Sequence, residues 1–353
     1  MNSLSIDADI RKARTLASDF YTDPAWFELS KERIFARSWQ FLGRVDEFES
    51  LKPVTMLPEM LGEPLLLSKT DDAVRCLSNV CTHRGKILVE EPCEANLIRC
   101  GYHGRRFSLD GKFLSMPEFE GVADFPSESD NLKQIQFAEW LGFGFASLDP
   151  VAELGLFTDD AMSSMGDIPT DGLKLTSTRE YEIEAHWALY CENYLEGFHI
   201  PYVHQSLNAI VDYGSYTTGT FRYSVLQTGR SSVAGVNAPV ETAPGTDMAV
   251  AAQYLFIFPN LMFNFYPWGI SVNIVRPVSL SKTIVEFLNY VRDESLIESS
   301  AGADLHGVEM EDEIVVESVQ RGIRSRFYSH GRYSPTREQG THHFHRLIAE
   351  FIG

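Results

Sequence analysis

Hydrophobic and polar positions change their spacing twice along the chain. From about residue 5 to residue 40, the apolar anchors Trp26, Phe27, Ile34, Phe35 and Trp39 stand in a stretch that reads as a helical lead-in. From about Phe41 to Pro150 the pattern becomes short alternating runs punctuated by Gly, Pro and Asp, as in EPLLLSKTDDAVRCLSNV and GRRFSLDGKF. Such runs predict a compact all-β unit. Beyond a boundary near 150 the periods mix: AQYLFIFPNLMFNFYP and TIVEFLNYVRD read as strands, and MEDEIVVESVQRGIRSRF as a late helix. The layout is α+β, and the 231–248 stretch, SSVAGVNAPVETAPGTDM, is the expected flexible loop.

One segment breaks its own pattern. Cys191 to Gln205 read CENYLEGFHIPYVHQ, with a carboxylate at Glu196 and histidines at His199 and His204. Glu196 and His199 would share a helical face at ~100° per residue. In an unbroken helix His204 would point about 140° away from His199, so a shared centre needs a break. Pro201 supplies one, because it removes a hydrogen bond and disfavours helix at Ile200. Two satisfied histidines beside an ordinary proline turn are the alternative.

A second set of ligand-type residues lies in the β unit, where CTHRG holds Cys81 and His83 and CGYHG holds Cys100 and His103. Zinc fingers pair Cys with Cys and His with His, whereas each couplet here mixes the two. A Rieske 2Fe-2S cluster needs two thiolates on one iron and two imidazoles on the other, which interleaved couplets supply. A structural zinc is the alternative. Cys76, Cys93 and Cys191 lie outside this pattern as structural thiols.

Composition narrows the classes. The chain has 353 residues, 44% hydrophobic, enough for a large core and an expected division into two domains. A formal charge of −19 disfavours nucleic acid and anionic membrane surfaces. No apolar run approaches the ~20 residues that span a bilayer, and the polar MNSLSIDADIRKARTL has no signal-peptide core, so a cytoplasmic location is expected. Five cysteines argue against a disulfide framework.

The couplet pair, followed by N-x2-E-x2-H-x4-H from Asn193 to His204, resembles the α subunits of Rieske non-heme iron oxygenases, the aromatic-ring-hydroxylating oxygenases, over nearly the whole chain. The resemblance implies an all-β Rieske domain at 41–150 and a helix-grip (START-like) catalytic domain with an antiparallel sheet at 151–353. Residues 1–40 would be a lead-in packing on the catalytic domain. Cys81, His83, Cys100 and His103 would hold the cluster, and His199 and His204 a mononuclear Fe(II). The third iron ligand would be a later carboxylate. On the late helix Val308, Val315, Val316, Val319 and Ile323 form an apolar stripe with Asp312 in its middle, where a carboxylate is costly unless paired or metal-bound. That separates Asp312 from Glu311, Glu313 and Glu317; a solvated Asp on an acidic helix is the alternative.

The family's α subunits form head-to-tail trimers, so Glu196 would link a cluster histidine of one subunit to an iron-ligand histidine of the next. Most relatives carry Asp there. The longer Glu resembles the subgroup acting on quaternary amines such as carnitine. Many relatives have Pro at the position of Gly101 and Trp at that of Arg105; Arg105 and Arg106, near the cluster residues, would affect docking of the redox partner or serve as surface ion-pair residues. Electrons from NADH or NADPH would arrive through a separate flavin/iron-sulfur reductase or a ferredoxin. With O2, the enzyme would hydroxylate a small quaternary amine, N-methyl compound or aromatic. Phe263, Phe265, Tyr266 and Trp268 would line the substrate pocket or belong to the core. His342, His343 and His345 are expected on a C-terminal helix face. The competing class is a zinc-stabilised, non-redox ligand-binding protein.

Overall fold

The computed structural model describes residues 4–71, 73–165, 168–231, 249–298 and 300–353. Most of the 231–248 stretch therefore lies outside the described residues. The chain divides into two compact units, Ala36–Val151 and Met1–Phe35 with Ala152–Gly353.

The lead-in is less helical than its anchors suggest. It holds one α-helix, α1 (Pro24–Arg33), and short 3-10 turns at Ser18–Tyr21 and Phe35–Arg37. The Asp23 carboxylate caps α1 by accepting from the Ala25 amide at 2.9 Å, and Pro24 begins the helix, where its missing N–H has no partner to lose. The earlier residues spend their backbone donors elsewhere. Ser18 N–H donates to the Ser329 carbonyl at 2.8 Å, and Arg14 pairs as a β-bridge with Arg332. Those long-range partners, invisible to local periodicity, displace a helix.

Within 36–151, one antiparallel sheet runs in the order β1 (Gln40–Arg44), β9 (Phe143–Ser147), β8 (Gln134–Trp140), β4 (Val74–Ser78), β3 (Glu63–Lys69), β2 (Leu51–Met56). A smaller sheet joins β5 (Ile98–Arg99), β6 (Arg106–Phe107) and β7 (Phe113–Ser115). Leu51, Leu66, Leu77, Ile98 and Phe107 form a core that also takes in Cys81 and Cys100. The two thiols are thus held by the same burial that stabilises the unit.

The other unit is built on a seven-stranded antiparallel sheet, in the order β10 (Lys174–Ile183), β16 (Lys282–Val291), β15 (Gly269–Ser279), β14 (Leu261–Tyr266), β13 (Ala249–Ile257), β12 (Ser224–Ser231), β11 (Thr217–Thr220). Its helices are α1, α2 (Gly155–Ser163), α3 (Trp187–Tyr194), the short α4 (Ile200–Val203) and α5 (Gln205–Asn208), α6 (Leu305–Ile323) and α7 (Gln339–Ile352). Helix α7 buries Phe344, Leu347, Ile348, Phe351 and Ile352 on one face. It also comes so close to the Leu195 carbonyl that a Cβ at Gly340 would collide with it, so only glycine fits there. The predicted histidine face of this helix is structural. His345 is fully buried with its Nδ1 2.6 Å from the Tyr333 hydroxyl, and His342 Nε2 lies 2.8 Å from the Asp7 carbonyl.

The apolar stripe of α6 differs from the expected one. Val316 and Ile323 are buried, but Val319 is 42% exposed, and the polar Glu309 and Gln320 take places on the buried face. Gln320 Oε1 accepts from the His186 amide at 2.7 Å, which satisfies one end of its side-chain amide. No helix among the described residues is long and apolar enough to cross a membrane.

Candidate metal centres and substrate cavity

The two Cys-His couplets fold into matching turns. Cys81 N–H donates to the Lys86 carbonyl and Cys100 N–H to the Arg105 carbonyl, both at 2.8 Å, while Gly85 and Gly104 N–H return to the Cys81 and Cys100 carbonyls. Gly85 and Gly104 close these turns with φ of 72° and 74°, a conformation glycine adopts without a Cβ penalty. Both cysteines are 2% exposed. His103 is exposed and His83 half-buried, so the imidazoles lie outward, with ring centroids 4.8 Å apart. The donors are therefore sorted by kind, sulfur with sulfur inside and imidazole with imidazole outside, which fits two irons of different ligation. The Tyr102 amide also donates to Cys100 Sγ at 3.5 Å, an arrangement that favours a thiolate.

Arg105 is not a docking residue. It is 2% exposed, its guanidinium lies 4.9 Å from the Phe113 ring centre, and it donates to Asp130 Oδ1 at 2.6 Å. Arg106 is the exposed member of the pair. Replacing Arg105 with Ala would leave Asp130 Oδ1 without its partner and empty a slot among three phenylalanines. The expected loss is about 3 kcal/mol, the low end for breaking a buried ion pair, read as a lowered thermal midpoint by circular dichroism.

In the larger unit the helix break falls earlier than Pro201. Helix α3 ends at Tyr194, before Glu196, and Pro201 stands in the first turn of α4 rather than ending a longer helix. The Glu196 carboxylate explains the stop. Its Oε2 accepts from the backbone amides of Phe198 and His199, the second at 3.1 Å, replacing helical partners for those donors. Glu196 and His199 consequently meet through a turn, not along a helical face, with Oε1 2.6 Å from His199 Nδ1.

His199 caps α4, and His204, at φ −105° and ψ 83°, separates α4 from α5. This geometry swings the second imidazole back to the first. The two Nε2 atoms are 3.1 Å apart, and Asp312 Oδ1 on α6 lies 3.0 Å from His204 Nε2 and 3.7 Å from His199 Nε2. Among the described residues, these three form the one set of His, Cys, Asp or Glu donors lying within 4.8 Å of one another. Two imidazoles and one carboxylate sharing one side of a point suit a metal that keeps open positions.

Two residues assigned no role from sequence hold this set in place. Glu311 Oε2 is 2.7 Å from His204 Nδ1, so the acidic neighbour set aside in favour of Asp312 orients one of the imidazoles. Burial alone would lower the pKa of His204, but hydrogen bonds to Asp312 and Glu311 outweigh it and raise the value. Asn193 Nδ2 donates to Asp312 Oδ1 at 2.6 Å. Its place at the head of N-x2-E-x2-H-x4-H was the signal available in the chain. Tyr190 donates to Glu309 Oε2 at 2.6 Å one turn of α6 away.

Beside this set lies a cavity of about 110 Å³, whose wall includes Tyr194, Tyr216, Tyr254, Tyr266, Gln227 and Glu309. Burial raises the pKa of each of these tyrosines, keeping them neutral phenols. Of the four aromatics expected to line the pocket, Tyr266 does. Trp268 stacks behind Tyr266 at 5.1 Å. Phe263 and Phe265 are absent from this wall, because alternation along β14 sends them to the face opposite Asn264 and Tyr266.

Changing Glu196 to Gln preserves size but removes the charge that holds His199 Nδ1. Turnover is expected to fall on the order of 10- to 100-fold, the usual effect of losing a partner of a metal ligand. Steady-state turnover measured beside iron content checks this, and unchanged turnover would remove Glu196 from the site.

Residues 170–353 match the family described as ring hydroxylating alpha subunit (catalytic domain), and residues 38–126 match the Rieske [2Fe-2S] domain. Chloroplastic choline monooxygenase of Arabidopsis thaliana is 31% identical, with 96% of this chain and 83% of that protein covered. The carnitine monooxygenase oxygenase subunit of Escherichia coli (strain K12) is 30% identical, over 97% and 95% of the two chains. Among solved structures, the quaternary ammonium Rieske monooxygenase CntA in complex with L-carnitine superposes with a TM-score of 0.76 at 26% identity, covering 98% of this chain and 97% of that one.

Proposed function

The chain belongs to the Rieske ring-hydroxylating oxygenase α-subunit family, and from that premise we propose that its substrate is a small quaternary or N-methylated amine. It is the terminal oxygenase of its system, a Rieske iron-sulfur and mononuclear-iron oxidoreductase that takes electrons from a reductase. Family membership sets aside the zinc-stabilised, non-redox alternative.

Cys81, His83, Cys100 and His103 hold the cluster in this reading, and His199, His204 and Asp312 hold the iron. Residues 36–151 then form the cluster domain, and the remainder the catalytic domain. When bound, the cluster supplies electrons singly and the iron supplies dioxygen activation at its open positions. The protein's own residues set the geometry. Glu196 and Glu311 engage the Nδ1 atoms of His199 and His204, leaving both Nε2 atoms facing one point with Asp312 Oδ1. Asn193 restrains Asp312. The tyrosine wall supplies aromatic rings, whose π faces favour a methylated ammonium. Hydroxylation of a carbon next to nitrogen would end in C–N cleavage.

The observation that carries the substrate class is this wall. Tyrosines surround the cavity, and no lysine or arginine lines it among the described residues. A solved quaternary ammonium Rieske monooxygenase, 26% identical to this chain, is described as giving insights into inter-subunit electron transfer. By extension, this chain forms a homotrimer in which Glu196 carries electrons or protons across the interface, served by a separate flavin/iron-sulfur reductase or ferredoxin in the cytoplasm.

A single-turnover assay tests the reading. The pre-reduced holoenzyme is exposed to oxygen with quaternary ammonium compounds, aromatic acids or arenes, and products are identified by mass spectrometry. Amine release or demethylation is expected; ring hydroxylation without either would transfer the substrate to the aromatic class.

A further inference from the structure

Helix α6 carries a second acidic residue towards the cavity, one turn before Asp312. Glu309 is 3% exposed and lines the cavity with Leu305, Val308 and Asp312. Its Oε2 accepts from Tyr190, but its Oε1 has no hydrogen-bond partner. A buried carboxylate with a free oxygen and no counter-charge is expensive, so burial pushes the Glu309 carboxyl well above the usual carboxylate range, and a cation bound beside it would favour the ionised form again.

The rest of the wall has the same polarity. Besides Glu309 Oε1, the unpartnered buried polar side-chain atom among the described lining residues is Gln227 Oε1. The Gln227 amide is oriented by its Nε2, which donates to the Tyr194 carbonyl at 2.6 Å. Both free atoms are acceptors, and the lining provides no cationic side chain to meet them. A neutral arene would leave both unsatisfied, whereas a cation with polarised methyl groups answers both and the tyrosine faces as well.

We propose that Glu309 is the charge-recognition residue of this cavity, binding the cationic nitrogen of a quaternary ammonium substrate with Tyr254 and Tyr266 packed around its methyl groups. This assignment rests on the substrate class argued above and adds the residue that enforces it. Its position suits the chemistry. Three residues of helix separate Glu309 from Asp312, about 4.5 Å of rise, so a nitrogen held at Glu309 leaves an adjacent carbon within reach of the metal site.

The test is calorimetric binding to the holoenzyme of choline and of its neutral isostere, in which a quaternary carbon replaces the nitrogen. Wild type is expected to prefer choline by about tenfold or more, Glu309→Gln to shrink that preference to about twofold, and Glu309→Asp to retain it. Unchanged binding of the isostere by Glu309→Gln shows that the cavity remains formed. Should Glu309→Gln fail to fold, Tyr190→Phe, which keeps the charge, must still prefer choline. Loss of preference in that variant overturns the assignment. A wild-type preference that survives in Glu309→Gln overturns the role of Glu309 while leaving the substrate class standing. A wild-type protein without preference overturns both.

Discussion

Asp312→Ala is expected to abolish turnover while leaving the reduced Rieske signal in electron paramagnetic resonance intact. Among the described residues, Asp312 supplies the one carboxylate grouped within 4.8 Å of both imidazole nitrogens, and the two carboxylates behind the histidines are already engaged at Nδ1. Removing it leaves two imidazoles, too few for tight iron binding. Iron should fall from about three to about two per chain, and turnover at least about a hundredfold, beyond the loss typical of an outer partner. The cluster signal survives because its donors belong to a different compact unit with its own core. Retained activity would show that another carboxylate completes the site.

Cys100→Ser is the complementary experiment and should have an effect of similar size by the opposite route. Cys100 is 2% exposed and packed with Cys81 in one core, where a serine hydroxyl replaces a soft thiolate with a hard, poorly acidic donor. The visible colour and the reduced signal should disappear, and multiple turnover with reductase should cease. Iron at His199, His204 and Asp312 should remain, at about one per chain. A protein that kept its colour would place the cluster on other ligands.

Much of this arrangement was legible in the chain itself. Interleaved Cys81/His83 and Cys100/His103 offer donors suited to two irons of unlike ligation, and this was readable by residue type because softness is a property of the side chain. The alternating runs of the 36–151 unit and the α+β mixture that follows were equally readable, because strand and helix periods are local. The need for a break between His199 and His204 also follows from helical geometry.

Position was a different matter. The sequence determined which groups could bind metal and which segments could form strands or helices, since both depend on residue chemistry and short-range spacing. Only the tertiary structure decided their partners. Glu309, Glu311 and Asp312 lie within four residues on one helix. One meets Tyr190, one backs His204 and one faces both imidazoles, because α3 and the 196–204 turn pack against α6 at particular angles. The same holds for Arg105, whose burial depends on Asp130 and three phenylalanines, and for Phe263 and Phe265, assigned to the face of β14 away from the cavity. A buried polar group is tolerated only where a distant segment supplies its partner, and that encounter is fixed by the packing of the whole unit rather than by neighbouring residues.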